Sequence, residues 1–154
     1  MIRVNNDNLG RALHALLYLR LRDFCIEHTP ELPAEPFVNV VLNRLYNGDP
    51  LLHVLVELEN NTIVAHAIID IQEAFGNKVV YCHQLQRDKP DISAQDELME
   101  AVDKLADYHN AVCIAFSVTK NSKVYEKKYG YTHARSVMIK MAHDNKAEKD
   151  SSNG

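Results

Sequence analysis

Two alternating runs of residues meet at Asn60 and Asn61, and this pattern constrains the fold more than any other feature of the chain. Apolar residues recur at every second position on both sides of the pair, which is the period of a β-strand. Asn tolerates the positive φ of a type I′ turn, so the pattern predicts an antiparallel hairpin. If Glu59 pairs with Thr62, one face of the hairpin is apolar and belongs to the core. That face consists of Leu52, Val54, Val56, Leu58, Ile63, Ala65, Ala67 and Ile69.

The other face of the hairpin is predicted to be polar and to carry histidines. In the same register, His53 and His66 are diagonal neighbours on it, and His83 lies in the strand that follows. Histidine titrates near neutral pH, so a general base could be built from these residues. Glu57, on the same face, is the alternative base. Spacings typical of metal ligands, such as HxH or HExxH, are absent from this group, and we predict no metal site.

Two helices are predicted before the hairpin. Apolar residues at three- and four-residue steps indicate a helix over residues 8–28, with Asn6 or Asp7 as its N-cap. A proline-rich break follows, and Pro36 suits the first turn of a second helix. With the short apolar start at residues 2–4, the chain is predicted to open as β-α-α.

After the hairpin, strand and helix patterns alternate again. Residues 79–86 are predicted to form a third strand. Ser93, with Asp96 three residues on, resembles a capping motif for a helix over residues 95–110. The short apolar run at residues 112–118 is typical of a buried strand.

The segment KVYEKKYGY predicts the end of a last helix. Gly130 follows the helical pattern, and glycine lets a chain leave a helix through the left-handed region. The alternating residues from Tyr131 to Met141 then predict a closing strand. Residues 142–154 are polar, so we predict a single domain over residues 1–141 and a C-terminal tail.

Composition and charge narrow the class of protein. With 154 residues, 46% hydrophobic and 25% charged, the chain can build one core but not two. No run approaches the roughly 18 apolar residues of a membrane span, and the amino terminus lacks the apolar region of a secretory signal. The three cysteines are far apart and form no CxxC pair, so we expect core residues in a reducing, cytoplasmic setting. The net charge of −4 argues against a nucleic-acid surface.

The predicted order β-α-α-β-β-β-α-β-α-β resembles the GCN5-related N-acetyltransferase (GNAT) fold, an α/β fold with a mixed and splayed central sheet. MIRVNNDNLGRALHALL is similar to the opening strand and helix of that family, LVELENNTIVAHAIIDI to its central hairpin, and NSKVYEKKYGY to its closing helix and glycine. The resemblance implies that the strands at residues 79–86 and 112–118 are parallel neighbours that splay apart. It also implies acetyl-CoA as the acyl donor and an amine, on a small molecule or a protein, as the acceptor.

The resemblance places the pyrophosphate of acetyl-CoA at the loop before the third helix. In the family, an R/Q-x-x-G-x-G/A segment presents backbone N–H groups there, and its glycines permit close approach. Here the loop reads RDKPDISAQ, which has no glycine, and Pro90 lacks an N–H. The alternatives are an ordinary polar loop with a helix cap, or a modified CoA site. The modified site would take its charges and N–H donors from Arg87, Lys89, Ser93 and Ala94.

Three further residues receive roles through the resemblance. Many family members protonate the departing CoA thiolate with a Tyr four residues before the glycine, but this position is Glu126 here. Tyr125 would serve only if the helix is rotated locally, and otherwise its ring packs against the sheet. Asn121 would contact the cofactor or cap the helix. Backbone N–H near Leu85 would hold the oxyanion of the reaction.

Two hypotheses from different classes remain. In the first, the protein is an acyl-CoA-dependent N-acyltransferase. In the second, the cofactor loop has degenerated, acetyl-CoA binding is lost, and the domain is a structural or binding component of a larger assembly such as a phage particle. A fold alone does not choose between them. Acetyl-CoA binding distinguishes them.

Overall fold

A computed structural model describes residues 1–88, 92–117, 122–135 and 138–142, without the side chains of residues 92–94 and 122. The chain divides into two compact units, Met1–Asn121 and Ser122–Gly154. The prediction of one domain over residues 1–141 stays a prediction. Along the chain, the first unit contains β1 (Ile2–Val4), α1 (Arg11–His28), α2 (Ala34–Tyr46), β2 (Leu52–Glu59), β3 (Thr62–Ala74), β4 (Asn77–Arg87), α3 (Ile92–Tyr108) and β5 (Cys113–Phe116).

The strands of the first unit form one mixed sheet. Its order is β1-β2-β3-β4-β5, and it has five strands in the described residues. Neighbours from β1 to β4 are antiparallel, whereas β4 and β5 are parallel. Parallel neighbours need a crossover connection, and α3 supplies it. The predicted α/β class and the parallel pairing of these two strands are confirmed.

The helices before the hairpin form largely as predicted. Pro36 lies in the first turn of α2, and α1 ends at His28. The predicted cap of α1 is wrong, because its N-cap is Gly10. The asparagine side chains instead form a turn before the helix, in which Oδ1 of Asn5 accepts the N–H groups of Asp7 and Asn8. None of the helices in the described residues combines the length and apolar character needed to cross a bilayer.

Helices cover both faces of the sheet. We call the face that packs on α1 and α2 the helix-pair face, and the opposite one the α3 face. Strand β2 is therefore buried on both faces, since Leu52 is 2% exposed and His53 only 6%. The prediction of one polar face is wrong at this strand. Core residues of the helix-pair face include Leu17, Leu21, Val38, Leu42, Val54, Val56 and Ile68, and those of the α3 face include Ala67, Ile69, Val80, Leu98 and Val102.

The predicted hairpin between β2 and β3 is confirmed. Its turn lies at Asn60 and Asn61, whose φ angles are 52° and 61°. Glu59 pairs with Thr62 at the first position of the ladder. Two successive positive φ angles match the type I′ turn that the Asn pair predicts.

A bulge then changes the register of this hairpin. Leu58 pairs with Ile63, but Glu57 pairs with Ala65, so Val64 is one residue more than β2 supplies. An extra residue in a strand moves every later side chain to the opposite face. The predicted apolar face of β3 is therefore wrong beyond Ile63.

The bulge separates His53 from His66. His53 pairs with Ile69 and lies on the α3 face, whereas His66 pairs with Val56 and lies on the helix-pair face. The prediction that both histidines share one polar face is wrong. Alternation of apolar and polar residues does not reveal a single inserted residue when both faces of a strand are buried.

The second unit contains α4 (Ser122–Tyr129). Gly130 follows with a φ of +75°, which confirms the predicted helix end. The closing strand predicted from Tyr131 to Met141 does not form in residues 131–135 and 138–141, and residues 136–137 lie outside the described residues. A strand needs a neighbour that takes its hydrogen bonds, and no ladder of the described residues includes this segment. Met138 is 96% exposed.

Candidate functional site

A second bulge lies in β4 at His83. Ile68 pairs with Gln84 and Ile69 with Cys82, so His83 is the extra residue. The bulge directly follows the last pair between β4 and β5, which joins Cys82 to Phe116. We call residues 83–88 the open segment, because β4 and its exit continue beyond that last pair. Strand backbone beyond such a point can bind an extended ligand in place of a neighbouring strand.

The imidazole of His83 contacts a buried carboxylate, Asp70. His83 Nε2 lies 3.1 Å from Asp70 Oδ2. Arg44 of α2 donates to the same carboxylate through Nη1, at 3.0 Å, and Nη2, at 2.9 Å. A carboxylate only accepts hydrogen bonds, so Nε2 of His83 carries a proton, and Nδ1 is the ring nitrogen that has the lone pair in a neutral imidazole.

Electrostatics keep Asp70 ionised. Burial raises the pKa of Asp70, but hydrogen bonds from Arg44, His83 and Gln72 together outweigh burial and hold that pKa below its usual value. The hydrogen bond to Asp70 raises the pKa of Arg44. Arg44 also donates through Nε to Asp49 at 2.7 Å. His83 is therefore oriented by a carboxylate that stays charged.

Two aromatic rings flank His83. The Phe37 ring of α2 lies 5.6 Å from the imidazole and the Tyr81 ring 4.8 Å, both measured between centroids and both edge to face. The His83 side chain is 26% exposed. The imidazole is thus held in one orientation and still reached by solvent, as a general base must be.

A second polar network is buried on the helix-pair face and joins α1, β3 and β4. His66 is fully buried, and its Nδ1 accepts a hydrogen bond of 2.8 Å from Arg20 Nε. Its Nε2 lies 2.9 Å from Gln84 Oε1. Arginine only donates, so Nε2 of His66 carries the proton and donates to Gln84. The Gln84 Nε2 donates in turn to the Leu21 carbonyl oxygen at 3.3 Å.

Arg20 extends this network to the exit of β4. Its Nη1 donates to Asp88 Oδ1 at 2.7 Å and to the Ile63 carbonyl oxygen at 3.2 Å. The N–H of Asp88 also donates to the Val64 carbonyl oxygen at 2.8 Å. Burial, reinforced by the Arg20 charge and opposed by the Gln84 hydrogen bond, lowers the pKa of His66 to about 4.

Glu57, the alternative base, does not join His83. Glu57 pairs with Ala65 on the α3 face, whereas His83 bonds to a carboxylate on the helix-pair face. His53 also lies on the α3 face, 5.7 Å from His109 between ring centroids, and burial lowers its pKa to about 4. The group of three histidines considered from the sequence does not form. The described residues contain no cluster of three or more His, Cys, Asp or Glu suited to a metal ion.

The predicted CoA-binding residues of β4 follow His83 in the open segment. Leu85 pairs with Ala67, and its side chain packs on the α3 face. Arg87 is the last residue of the strand. Lys89 lies outside the described residues. One stretch of β4 therefore carries the candidate base and two of the predicted CoA ligands.

Ser93 and Ala94 lie in the first turn of α3. The helix begins at Ile92, so Ser93 does not precede the helix as the capping motif predicted. The first four N–H groups of any helix lack an acceptor within it, and the backbone of Ser93 and Ala94 belongs to this turn. Their predicted contribution through backbone N–H stays a prediction.

The residues assigned to the last helix belong to the second unit or lie outside the described residues. Asn121 is among the latter. Tyr125 lies in α4, where its ring centroid is 6.1 Å from that of Tyr129 and 6.3 Å from that of Tyr131. Its role as the acid that protonates a thiolate stays a prediction.

Sequence reasoning missed Asp70, Arg44 and Arg20. Asp70 stands in the apolar stretch AIIDI, and Arg20 lies three and four residues from Leu17 and Leu16, on the apolar stripe of α1. A charge at a core position requires a partner, because an unpaired buried charge is strongly destabilising. That signal could have identified Asp70 and Arg20.

No family model matches the chain, and no curated protein matches its sequence. Solved structures do match. A probable acetyltransferase is 11% identical with a TM-score of 0.65, and the match covers 93% of this chain and 98% of that one. A predicted acetyltransferase from Clostridium acetobutylicum, solved with acetyl-CoA, is 18% identical with a TM-score of 0.64, covering 86% and 92%. An aminoglycoside acetyltransferase from an uncultured soil metagenomic sample is 13% identical with a TM-score of 0.61, covering 93% and 97%.

These matches concern the fold. The chain has the mixed α/β architecture of GNAT-like acetyltransferases, with nearly the whole length of both partners aligned in each case. At identities this low, the likeness carries no information on substrates, since one fold supports many functions.

Proposed function

We propose that the protein is an acyl-CoA-dependent N-acyltransferase, with acetyl-CoA as donor and an amine on a small molecule or a protein as acceptor. The observation that carries the proposal is the position of His83. This imidazole is oriented by Asp70 and sits at a bulge directly after the last β4–β5 pair. Neighbours of the same fold support the substrates, because one was solved with acetyl-CoA and another is an aminoglycoside acetyltransferase.

The residues that follow His83 suit an acyl-CoA. Backbone N–H near Leu85 is the proposed donor to the thioester oxygen, which becomes negative during acyl transfer. The first turn of α3 favours an anion through its N–H groups and its dipole, so it is the proposed site of the pyrophosphate. Arg87 and Lys89 would add full positive charges next to this turn. In this protein, positive side chains would then bind the CoA phosphates, whereas glycines in the family let the backbone approach the phosphates closely.

His83 would act as the general base. Because Nε2–H is directed at Asp70, Nδ1 is the nitrogen from which a neutral His83 would accept the proton. The amine nitrogen attacks the thioester carbonyl carbon, the N–C bond forms, the C–S bond breaks, and Nδ1 takes the amine proton. Asp70 stabilises the resulting imidazolium, as a carboxylate does beside a catalytic histidine. The departing CoA thiolate takes up a proton, which water can supply.

Calorimetric titration with acetyl-CoA is the first test of this proposal. We expect saturable binding with a stoichiometry of one per chain. Desulfo-CoA should bind as well, since the phosphates supply much of the interaction. The absence of binding at millimolar acetyl-CoA would refute the proposal that the protein is an acyltransferase.

Substitution of the base is the second test. We expect His83→Ala to lower the rate of thiol release with a panel of primary amines by about 10²–10⁴-fold, the usual contribution of a general base. Acetyl-CoA affinity should stay within about twofold, because the imidazole is not proposed to bind the phosphates. His14→Ala is the control, since His14 bonds to Tyr46 through Nδ1 at 2.6 Å and has no proposed role. Equal rates in the His83 variant and the control would exclude His83 as the base.

No observation favours the alternative of a structural component in a phage particle. The described residues show a partly exposed, carboxylate-oriented histidine at the bulge, which a purely structural domain does not require. The acetyltransferase neighbours give that alternative no support. The alternative of a structural component would be favoured only if acetyl-CoA failed to bind.

A further inference from the structure

We propose that Arg20 and His66 are positioning residues that fix the two ends of the open segment, residues 83–88. Neither residue is proposed to touch a substrate. His66 holds the bulge end through Gln84, and Arg20 holds the exit end through Asp88. The expected effects on acetyl-CoA affinity and kcat rest on the proposed function. The expected effect on the orientation of the His83 ring does not.

The bulge end is held by hydrogen bonds to both the oxygen and the nitrogen of the Gln84 amide. Gln84 follows the bulged His83 directly and is 3% exposed. Its Oε1 accepts from His66, and its Nε2 donates to the Leu21 carbonyl oxygen and lies 3.3 Å from Cys25 Sγ. The amide cannot flip without placing a donor against the His66 N–H. The backbone that carries His83 is thus tied to α1 and β3.

The exit end is held by charge. Asp88 follows the last residue of β4, and the Arg20–Asp88 distance of 2.7 Å is typical of a charge-assisted hydrogen bond. The Arg20 side chain is 14% exposed and that of Asp88 43%, so the pair is only partly screened by solvent. This contact fixes the point from which the chain leads to Lys89 and the predicted pyrophosphate site.

His66 connects the two ends because it must be neutral. Its Nδ1 accepts from Arg20 while its Nε2 donates to Gln84, and only a neutral imidazole can do both. Arg20 therefore orients His66, and His66 orients Gln84. One chain of side chains thus spans the segment from the bulge to the exit of β4.

Three variants test the two ends. His66→Phe keeps the ring but removes both hydrogen bonds, whereas His66→Gln can accept from Arg20 and donate to Gln84. Arg20→Met removes the contacts to His66 and Asp88. Arg22→Met is the matched control, because Arg22 lies on the same helix and pairs at 3.5 Å with Asp23, whose side chain is 69% exposed.

The first readout is the His83 ring itself, measured by long-range ¹H–¹⁵N NMR without any substrate. We expect a single Nε2–H tautomer in the unmodified protein and in His66→Gln and Arg22→Met. His66→Phe should show a mixture of tautomers or a shifted Nδ1 resonance. An unchanged His83 spectrum in a folded His66→Phe protein would overturn the inference for the bulge end.

The second readout is acetyl-CoA affinity by calorimetry and the split between kcat and KM. We expect Arg20→Met to weaken acetyl-CoA by about fivefold or more, because Asp88, at the exit of β4 towards the proposed phosphate site, is then no longer held by Arg20. His66→Phe should instead lower kcat and leave KM for acetyl-CoA within about twofold. If Arg20→Met and Arg22→Met bind acetyl-CoA equally, the exit end is not held as proposed. If the unmodified protein binds none, the proposed function fails, while the NMR result still decides the bulge end.

Discussion

Asp70 and Arg44 form a two-point ion pair, with Nη2–Oδ1 at 2.9 Å and Nη1–Oδ2 at 3.0 Å. The Asp70 side chain is 8% exposed and that of Arg44 28%. Breaking a pair that has one buried partner costs more stability than breaking a surface pair, because solvent screens the interaction less. This pair joins α2 to β3 next to His83.

Asp70→Ala should therefore lower the free energy of unfolding by about 2–4 kcal/mol, since it leaves Arg44 with Asp49 alone. Urea denaturation measures the effect. Asp23→Ala removes an exposed partner of Arg22 and should cost no more than about 0.5 kcal/mol. Equal losses in the two variants would show that the Asp70 pair is no more than a surface contact.

The buried histidines predict a loss of stability on acidification. The pKa values of His53 and His66 are lowered from 6.5 to about 4 in the folded protein. Between these values the unfolded chain binds more protons, so stability is complete above pH 6.5 and falls as the pH drops towards 4. Each histidine contributes up to about 1.4 kcal/mol per pH unit in this window.

Unfolding free energies measured at pH 7, 5.5 and 4.5 test this expectation. His66→Gln preserves the hydrogen bonds without a titrating group, so its stability should fall less steeply than that of the unmodified protein. Asp70 and Asp49 also have lowered pKa values. The stability that these carboxylates contribute is lost only as the pH falls below about 3.8, the ordinary pKa of Asp. A flat profile from pH 7 to 4.5 would contradict the assigned burial of both imidazoles.

Replacing Arg87 and Lys89 together by Ala should weaken acetyl-CoA binding by about tenfold or more. Each charge-assisted hydrogen bond contributes roughly 1.5–3 kcal/mol, and the loop has no glycines to compensate for the loss. Calorimetry gives the affinity, and the melting temperature should change little. Lys104→Ala is the control, because Lys104 is an exposed residue of α3 that pairs with Glu100 at 3.2 Å. Equal affinities in the double variant and this control would exclude the charged loop as the phosphate site.

The hairpin turn offers a stabilising substitution. Asn61 has a φ of 61°, and a type I′ turn favours Gly at its second position. Asn61→Gly should raise the free energy of unfolding by up to about 1 kcal/mol, since it relieves the cost of a positive φ. Asn47→Gly is the contrast, because Asn47 has a φ of −80° and gains nothing from glycine. The turn assignment fails if both substitutions lower stability alike.

Much of the fold could be predicted from the sequence because its elements carry local signals. The Asn60–Asn61 turn and the helix end at Gly130 each depend on a backbone conformation that few residues adopt. The parallel pairing of β4 and β5 followed from the helix between them. The turn and the helix end are each decided within a few residues of chain.

The candidate site was predicted less well because it depends on register. His83 was identified as a candidate base, but its orientation by Asp70 depends on the pairing of β3 with β4 and on Arg44 from α2. Contacts between residues far apart in the chain leave no periodic signal. The bulges at Val64 and His83 each add one residue to a strand, and neither residue differs in type from its neighbours in a way that marks the bulge.

The bulge at Val64 decides which face of the sheet carries the polar residues of the site. Side chains alternate along β3, so a chain without that one residue would direct Ala65, Ala67 and Ile69 towards α1 and α2. His66 and Asp70 would then face α3, and neither Arg20 nor Arg44 could reach them. A homologue with every polar residue of the site but one residue fewer between the turn and Asp70 would lack the site. The number of residues in this part of β3 therefore decides which face of the sheet carries His66 and Asp70, just as the identity of those residues decides their chemistry.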